Sequence, residues 1–254
     1  MAGKQDIISS IGAFAPLELA ESWDNCGVLV DGKDKVESLT IILDPTVDEL
    51  DSISADFILS HHPLIFSPLK RIELDIKDKV SMLLRKNQTF FAAHTNLDYA
   101  PEGISWALAR ALELEEDESS TPAMRTGTVR HRTVQEFGSH IQGALGTEVI
   151  KVVGDVEEVG RVAVMPGSGF HEETIEACFN SGISTVVSGD LKHHAALKGL
   201  DLGMTLIDAG HRETELPGLR HLEGYLRTRH PDVEISISIP KTPWHYVVEH
   251  DDMC

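Results

Sequence analysis

One arrangement occurs twice in this chain: a short apolar run, a histidine, an acid four residues later, then a proline and a glycine. In the second copy, residues 205–218 (TLIDAGHRETELPG), Leu206 and Ile207 read as a buried strand ending at Asp208-Ala-Gly210, with His211 and Glu215 beyond it. In the first, a strand over Thr89 to Ala93 leads to His94 and Asp98, with Pro101 and Gly103 downstream. A spacing of four stacks two side chains on one helix face, and near a strand end it can aim both into one crevice. Taken alone, His211 with Glu215 fits equally a first helical turn with a capping glutamate. The repetition favours metal chemistry, since imidazole with carboxylate suits zinc, manganese, iron, cobalt or nickel.

The likeness between the halves goes further. Phe57-Ile-Leu-Ser60 runs into His61-His62-Pro63, and Thr185-Val-Val-Ser188 runs through Gly189-Asp190 to His193-His194. An α/β fold is expected, with two related α/β lobes and a metal site at strand ends between them. The lobes are expected at residues 1–120 and 121–254, the last segment being able to pack back on the first. The border is placed at the acidic run Glu113 to Ser120. Neighbouring residues of a regular strand point to opposite sides, so His61 and His62 would address two ions from a bend rather than share one. Pro63 favours that bend, because it lacks an amide hydrogen and biases His62 away from helix.

Helical spacing is read in Ile7, Ile8, Ile11 and Phe14, in Ile76, Val80, Leu83 and Leu84, from Ile104 to Leu112, in Val134, Phe137, Ile141 and Leu145, and in Leu219, Leu222 and Leu226. Further strands are read at Leu39 to Leu43, Val149 to Val153 and Val162 to Val164, with Val233 to Ile239 alternating as a half-buried edge. In Trp23-Asp24-Asn25 the polar pair is expected to make local turn hydrogen bonds while Trp23 covers a core edge. Pro166-Gly-Ser-Gly169 reads as a tight turn, or as a loop whose amides cradle an anion. His250 and the acidic end read as a tail.

With 254 residues and 41% apolar composition, the chain can bury a full core. Its formal charge of −19 argues against nucleic acid and against anionic membrane surfaces, both of which call for clustered Lys and Arg. Three scattered cysteines suggest neither a disulfide framework nor a thiolate site, and no apolar run has the length of a signal peptide or membrane span. A cytoplasmic protein is the expectation. The strand-end set of His61, His62, His94, Asp98, Asp190, His193, His194, His211 and Glu215 exceeds the three or four ligands of a single ion. It points to two ions, with the surplus groups orienting the ligands.

Trp23-Asp24-Asn25-x-Gly27, Ser60-His61-His62-Pro63, His94-Thr-Asn-Leu-Asp98, Gly167-Ser-Gly169, Ser188-Gly-Asp190 with His193-His194, and Asp208-x-Gly-His211-x-x-Thr-Glu215 follow one another over nearly the whole chain. In this the sequence resembles the Nif-three-like dinuclear metal proteins, often labelled GTP cyclohydrolase type-two homologues. The resemblance implies two divalent ions per chain (Zn, Mn, Fe, Co or Ni), with His61, His62, Asp98, His211 and Glu215 as ligands and Glu215 or Asp98 bridging. It implies that His194 and His94 act in acid-base catalysis or, with Asp190 and His193, orient the ligands. It further implies a ring-like homohexamer and a GTP cyclohydrolase-like hydrolysis of a nucleotide or related small substrate through a water bridging the metals. A metal-delivery protein or scaffold is the alternative that the same residues allow. The chain lacks the inserted middle domain of some members. Where the family usually carries Gly-Arg-x-Gly it has Arg125-Thr-Gly-Thr-Val-Arg130.

Overall fold

The structure, a computed structural model, describes residues 1–154, 157–239 and 242–244. The first half supplies β1 (Ala2–Gly3), α1 (Lys4–Phe14), β2 (Gly27–Val30), β3 (Lys35–Val36), β4 (Ser38–Ile42), α2 (Val47–Ser52), β5 (Phe57–Ser60), α3 (Leu74–Lys86), β6 (Thr89–Ala92), α4 (Thr95–Asp98) and α5 (Ile104–Ala111). The second half supplies β7 (Glu115–Glu116), β8 (Arg125–Thr128), α6 (Val134–Leu145), β9 (Lys151–Val153), β10 (Val162–Val164), α7 (Glu172–Asn180), β11 (Thr185–Ser188), α8 (His193–Asp201), β12 (Thr205–Asp208), α9 (His211–Arg229) and β13 (Glu234–Ile237).

The fold is α/β, and its two main sheets follow one plan. β4, β5 and β6 lie parallel in that order, with β2 antiparallel beyond β6 and β13 parallel beyond β4. β10, β11 and β12 repeat the order, with β9 antiparallel beyond β12, and β8 then β7 beyond β10. β5 therefore matches β11 and β6 matches β12, the pairing expected from the two sequence copies. The small strands β1 and β3 pair with each other.

Period-two alternation sorts each sheet's side chains onto two covered faces, as parallel sheets require. Leu39, Ile41, Phe57, Leu59 and Phe91 join one core, and Ile42, Ile58 and Phe90 join the core behind. In the second sheet Val162, Val164, Val187 and Ile207 face one cluster, with Ala163, Val186 and Leu206 facing another. α9 links the halves: it starts after β12, buries Leu216, Leu219, Leu222 and Leu226 in the first lobe's core, and leads into β13. α5 packs closely against it, since a Cβ on Gly218 would lie 2.6 Å from Ile104 Cα.

Some expectations need correcting. Only Leu83 of the stripe on α3 is fully buried, while its neighbour Leu84, turned about 100° around the helix, is 61% exposed. Trp23 covers no core edge and is 60% exposed, its ring edge-on to His94. Residues 115–116, within the acidic run, are already a strand of the second sheet. His250 lies outside the described residues.

Candidate metal centre

The parallel strands place the site, because their C-terminal ends deliver the side chains that the sequence singles out. After β5, the amides of His61 and His62 donate to Ile42 and Leu43 carbonyls at 3.0 and 2.9 Å, and the Ser60 hydroxyl donates to the His62 carbonyl at 2.7 Å. The chain bends there, and the two rings stand 5.0 Å apart at 46°. After β6 come His94 and, in α4, Asp98. After β12 come His211 and Glu215, in the first turns of α9.

Every imidazole is anchored from behind. His61 Nδ1 donates to the Ala93 carbonyl at 3.0 Å, His62 Nδ1 to Asp44 at 2.6 Å, His94 Nδ1 to Asp24 at 3.0 Å and His211 Nδ1 to Asp190 at 2.7 Å. An acceptor at Nδ1 selects the tautomer whose Nε2 carries the lone pair, as in metal-ligating histidines held by carboxylates. Asp24 is itself fixed by the Thr95 amide and hydroxyl.

The free nitrogens meet around Glu215, which is 4% exposed. Its Oε1 lies 3.1 Å from His211 Nε2 and 3.5 Å from His61 Nε2, and its Oε2 lies 3.6 Å from His62 Nε2. Asp98 Oδ1 is 3.6 Å from His61 Nε2, and the Nε2 atoms of His62 and His211 are 3.4 Å apart. Ligand atoms of His61, His62 and His94 fall within 4.8 Å of one another, as do those of His62, His211 and Glu215. His61 Nε2, Asp98 Oδ1 and Glu215 Oε2 are buried without a hydrogen-bond partner. Such orphaned acceptors are costly unless something positive binds them, and a mixed imidazole and carboxylate set fits a borderline divalent metal.

The electrostatics agree. Burial disfavours a charged His61, but Asp98 and Glu215 overrule it and raise the pKa to about 9. Burial at His211 is likewise overruled by Glu215 and Asp190, which raise it to about 10. Glu215 is held well below the usual carboxylate range, its burial outweighed by His61 and His211. Asp98 is pushed up to about 7 by burial, which His61 offsets only in part. The carboxylates thus draw protons onto the imidazoles, and any cation using the same atoms competes with those protons.

The structure brings His61, His62, His94, Asp98, His211 and Glu215 together. His193 and His194 lie exposed in the first turn of α8, ring against ring at 5.6 Å, and join neither group of converging ligand atoms. The strand-end counterpart of the His61-His62 pair is Gly189-Asp190, whose acid anchors His211. Asp44, just past the end of β4, and Asp24, expected above only to make local turn hydrogen bonds, each prove to be a histidine anchor.

The loop Pro166–Gly169 is a turn shaped by the site. Gly167 and Gly169 amides donate to Thr214 and Ser188 hydroxyls at 2.9 Å, so they are not turned to an anion. Gly167 has φ +62°, and a Cβ there would come 2.5 Å from Glu215 Oε1, so only glycine lets the loop pass this carboxylate. Arg125 and Arg130, in the segment that departs from the family pattern, pair with Glu116 and Glu113.

Residues 3–243 match the family model described as Duf34/NIF3 (NGG1p interacting factor 3). The chain belongs to this family. Within it, the chain is 31% identical over 241 residues to a Methanocaldococcus jannaschii protein named GTP cyclohydrolase 1 type 2 homolog, covering 91% of this chain and 97% of that one. A Helicobacter pylori protein named GTP cyclohydrolase 1 type 2 is 30% identical over 226 residues, covering 85% and 88%. The solved structure of reduced HcgD from Methanocaldococcus jannaschii superposes with a TM-score of 0.84 at 28% identity, over 93% of this chain and 97% of that one. A Bacillus cereus protein related to NIF3 shares the fold with a TM-score of 0.85 at 20% identity, over 97% and 99%. Among the described residues no helix is long and apolar enough to cross a membrane.

Proposed function

We propose that this protein is a hydrolase that works with two divalent metal ions on a nucleotide or related small molecule. The observation that supports this is the donor set His61, His62, Asp98, His211 and Glu215, drawn from both lobes, with each imidazole turned inwards by an acceptor behind its Nδ1. His61, His62, Asp98, His211 and Glu215 would together hold the ions, with Glu215 in the middle of the set. Bound divalent ions supply Lewis-acid polarisation and a nucleophilic water near neutral pH. His94 is steadied by Asp24 and stands edge-on to His61 and His62, so its Nε2 is placed to take or give a proton. His194 is left out of the proposal, because it is exposed and joins neither group of converging ligand atoms. The name of the Helicobacter pylori relative supports a purine nucleotide as the substrate to try first. We also propose a cytoplasmic location, as the composition and scattered cysteines suggest, and a homohexamer, as the family resemblance implies.

The test is metal content per chain after purification without added metal, paired with product release from GTP and a panel of nucleotides and phosphoesters. About two ions with metal-dependent turnover is the expected result. Two ions without turnover on any substrate would favour metal delivery or a scaffold. No uptake even after reloading would overturn the metal centre itself.

A further inference from the structure

A cavity of about 640 Å³ opens beside the donor cluster, and both His62 and His211 line it. Much of its wall is the segment that follows the histidine pair. Leu64 of that segment is buried in the core, whereas Phe66 and Leu69 are 50% and 47% exposed. The Phe66 ring stands edge-on to His94, 5.7 Å away at 87°. Apolar walls beside a few convergent polar groups are the usual make-up of a small-molecule site. Among the described residues, the other charged groups lining the cavity are Asp44, which His62 engages, and Lys79.

A second cavity of about 860 Å³ shares His211 but is lined by Glu148, Asp190, Asp208 and Glu213 against Lys151 and Arg212. Lys151 pairs with Asp208 at 2.7 Å and Arg212 with Glu213 at 2.6 Å. Among the described residues, neither cavity gathers the excess of cationic side chains with which proteins grip a phosphate chain.

We infer that the 640 Å³ cavity takes the flat, largely apolar ring of a substrate whose oxygen donor reaches the donor cluster, with Phe66 and Leu69 covering that ring. The inference rests on the metal centre proposed above. It assigns the protein's own grip to the ring and leaves any phosphate to the ions or to solvent.

The test uses the full chain loaded with zinc, titrated calorimetrically with acetohydroxamate and benzohydroxamate, which share a metal-binding head and differ by a phenyl ring. Benzohydroxamate is expected to bind about tenfold tighter, the effect of moving part of one aromatic face out of water. The Phe66→Ala, Leu69→Ala double variant should bring the two affinities together, with zinc content and acetohydroxamate affinity unchanged. Leu69→Ala alone, at a residue with no ring contact to His94, should remove part of the difference. Equal affinities in the parent protein would overturn the ring subsite while leaving the metal centre standing. A difference that survives both substitutions would overturn its assignment to this wall. Failure of both hydroxamates to bind would instead sink the metal centre beneath it.

Discussion

Glu215→Gln preserves side-chain shape and removes the charge at the middle of the cluster. The carboxylate lies 3.1, 3.5 and 3.6 Å from the Nε2 atoms of His211, His61 and His62. At an effective dielectric constant of about 20, each charged pair at such a distance is worth roughly 5 kcal/mol before desolvation, and removing one partner of a buried pair costs about 3–5 kcal/mol net. Asp98 and Asp190 remain to share the imidazoles, so a loss of about 3 kcal/mol in the unfolding free energy of metal-stripped protein is expected. The pH dependence follows from both partners. His61 and His211 have raised pKa values, so their contribution is complete below the ordinary imidazole range and lost as pH rises through about 9 and 10. Glu215 is depressed, so its contribution is present above its ordinary value of 4.5 and lost as pH falls through its folded-state value. The gap between parent and variant should be widest from about pH 5 to 6.5, narrow as the pH rises further, and close above about pH 10. Urea unfolding of EDTA-treated proteins at pH 7 and pH 10.5 reads this, and elemental analysis after zinc reloading reads the loss of bound metal. A variant as stable as its parent at pH 7, or one with unchanged zinc stoichiometry, would refute the reasoning.

Zinc must displace protons from His61 and His211, so its apparent affinity should rise with pH up to about 9, by as much as roughly a hundredfold per unit where both protons leave. Competition with a chromophoric chelator at pH 6, 7 and 8 measures this, and a flat profile would count against it. Gly167→Ala combines a left-handed backbone with a Cβ 2.5 Å from Glu215 Oε1. It should cost about 1–3 kcal/mol and lower zinc content without changing the circular dichroism spectrum; full zinc binding would mean that the loop does not press on Glu215.

Local pattern carried much of this protein. Short apolar runs at 57–60 and 205–208 show their strands, because a strand of a parallel sheet covered on both faces carries apolar side chains on both sides of its backbone. His211 and Glu215 needed no tertiary information to be paired, since one helical turn sets their distance. The repeat of strand, histidine and acid likewise announced the shared topology of the two sheets. Exposure was less legible: Trp23 and Leu84 have the chemistry of core residues and turn outward because no layer covers their side of the fold.

The remainder depended on which segments meet. His62 and His211 are 149 positions apart, and only the passage of α9 from the second sheet onto the first lobe's core sets their Nε2 atoms 3.4 Å from one another. Asp24 and Asp44 have the residue type and setting of ordinary turn formers; their partners His94 and His62 are 70 and 18 residues away. His193 and His194 look as good as His61 and His62 in sequence, yet five residues past the end of β11 they have left the crevice for the surface. Spacing determines which side chains share a face, because it acts through the geometry of a single turn or pleat. Which faces then share a site is decided by burial of apolar surface summed over the whole chain, and that quantity has no local signature.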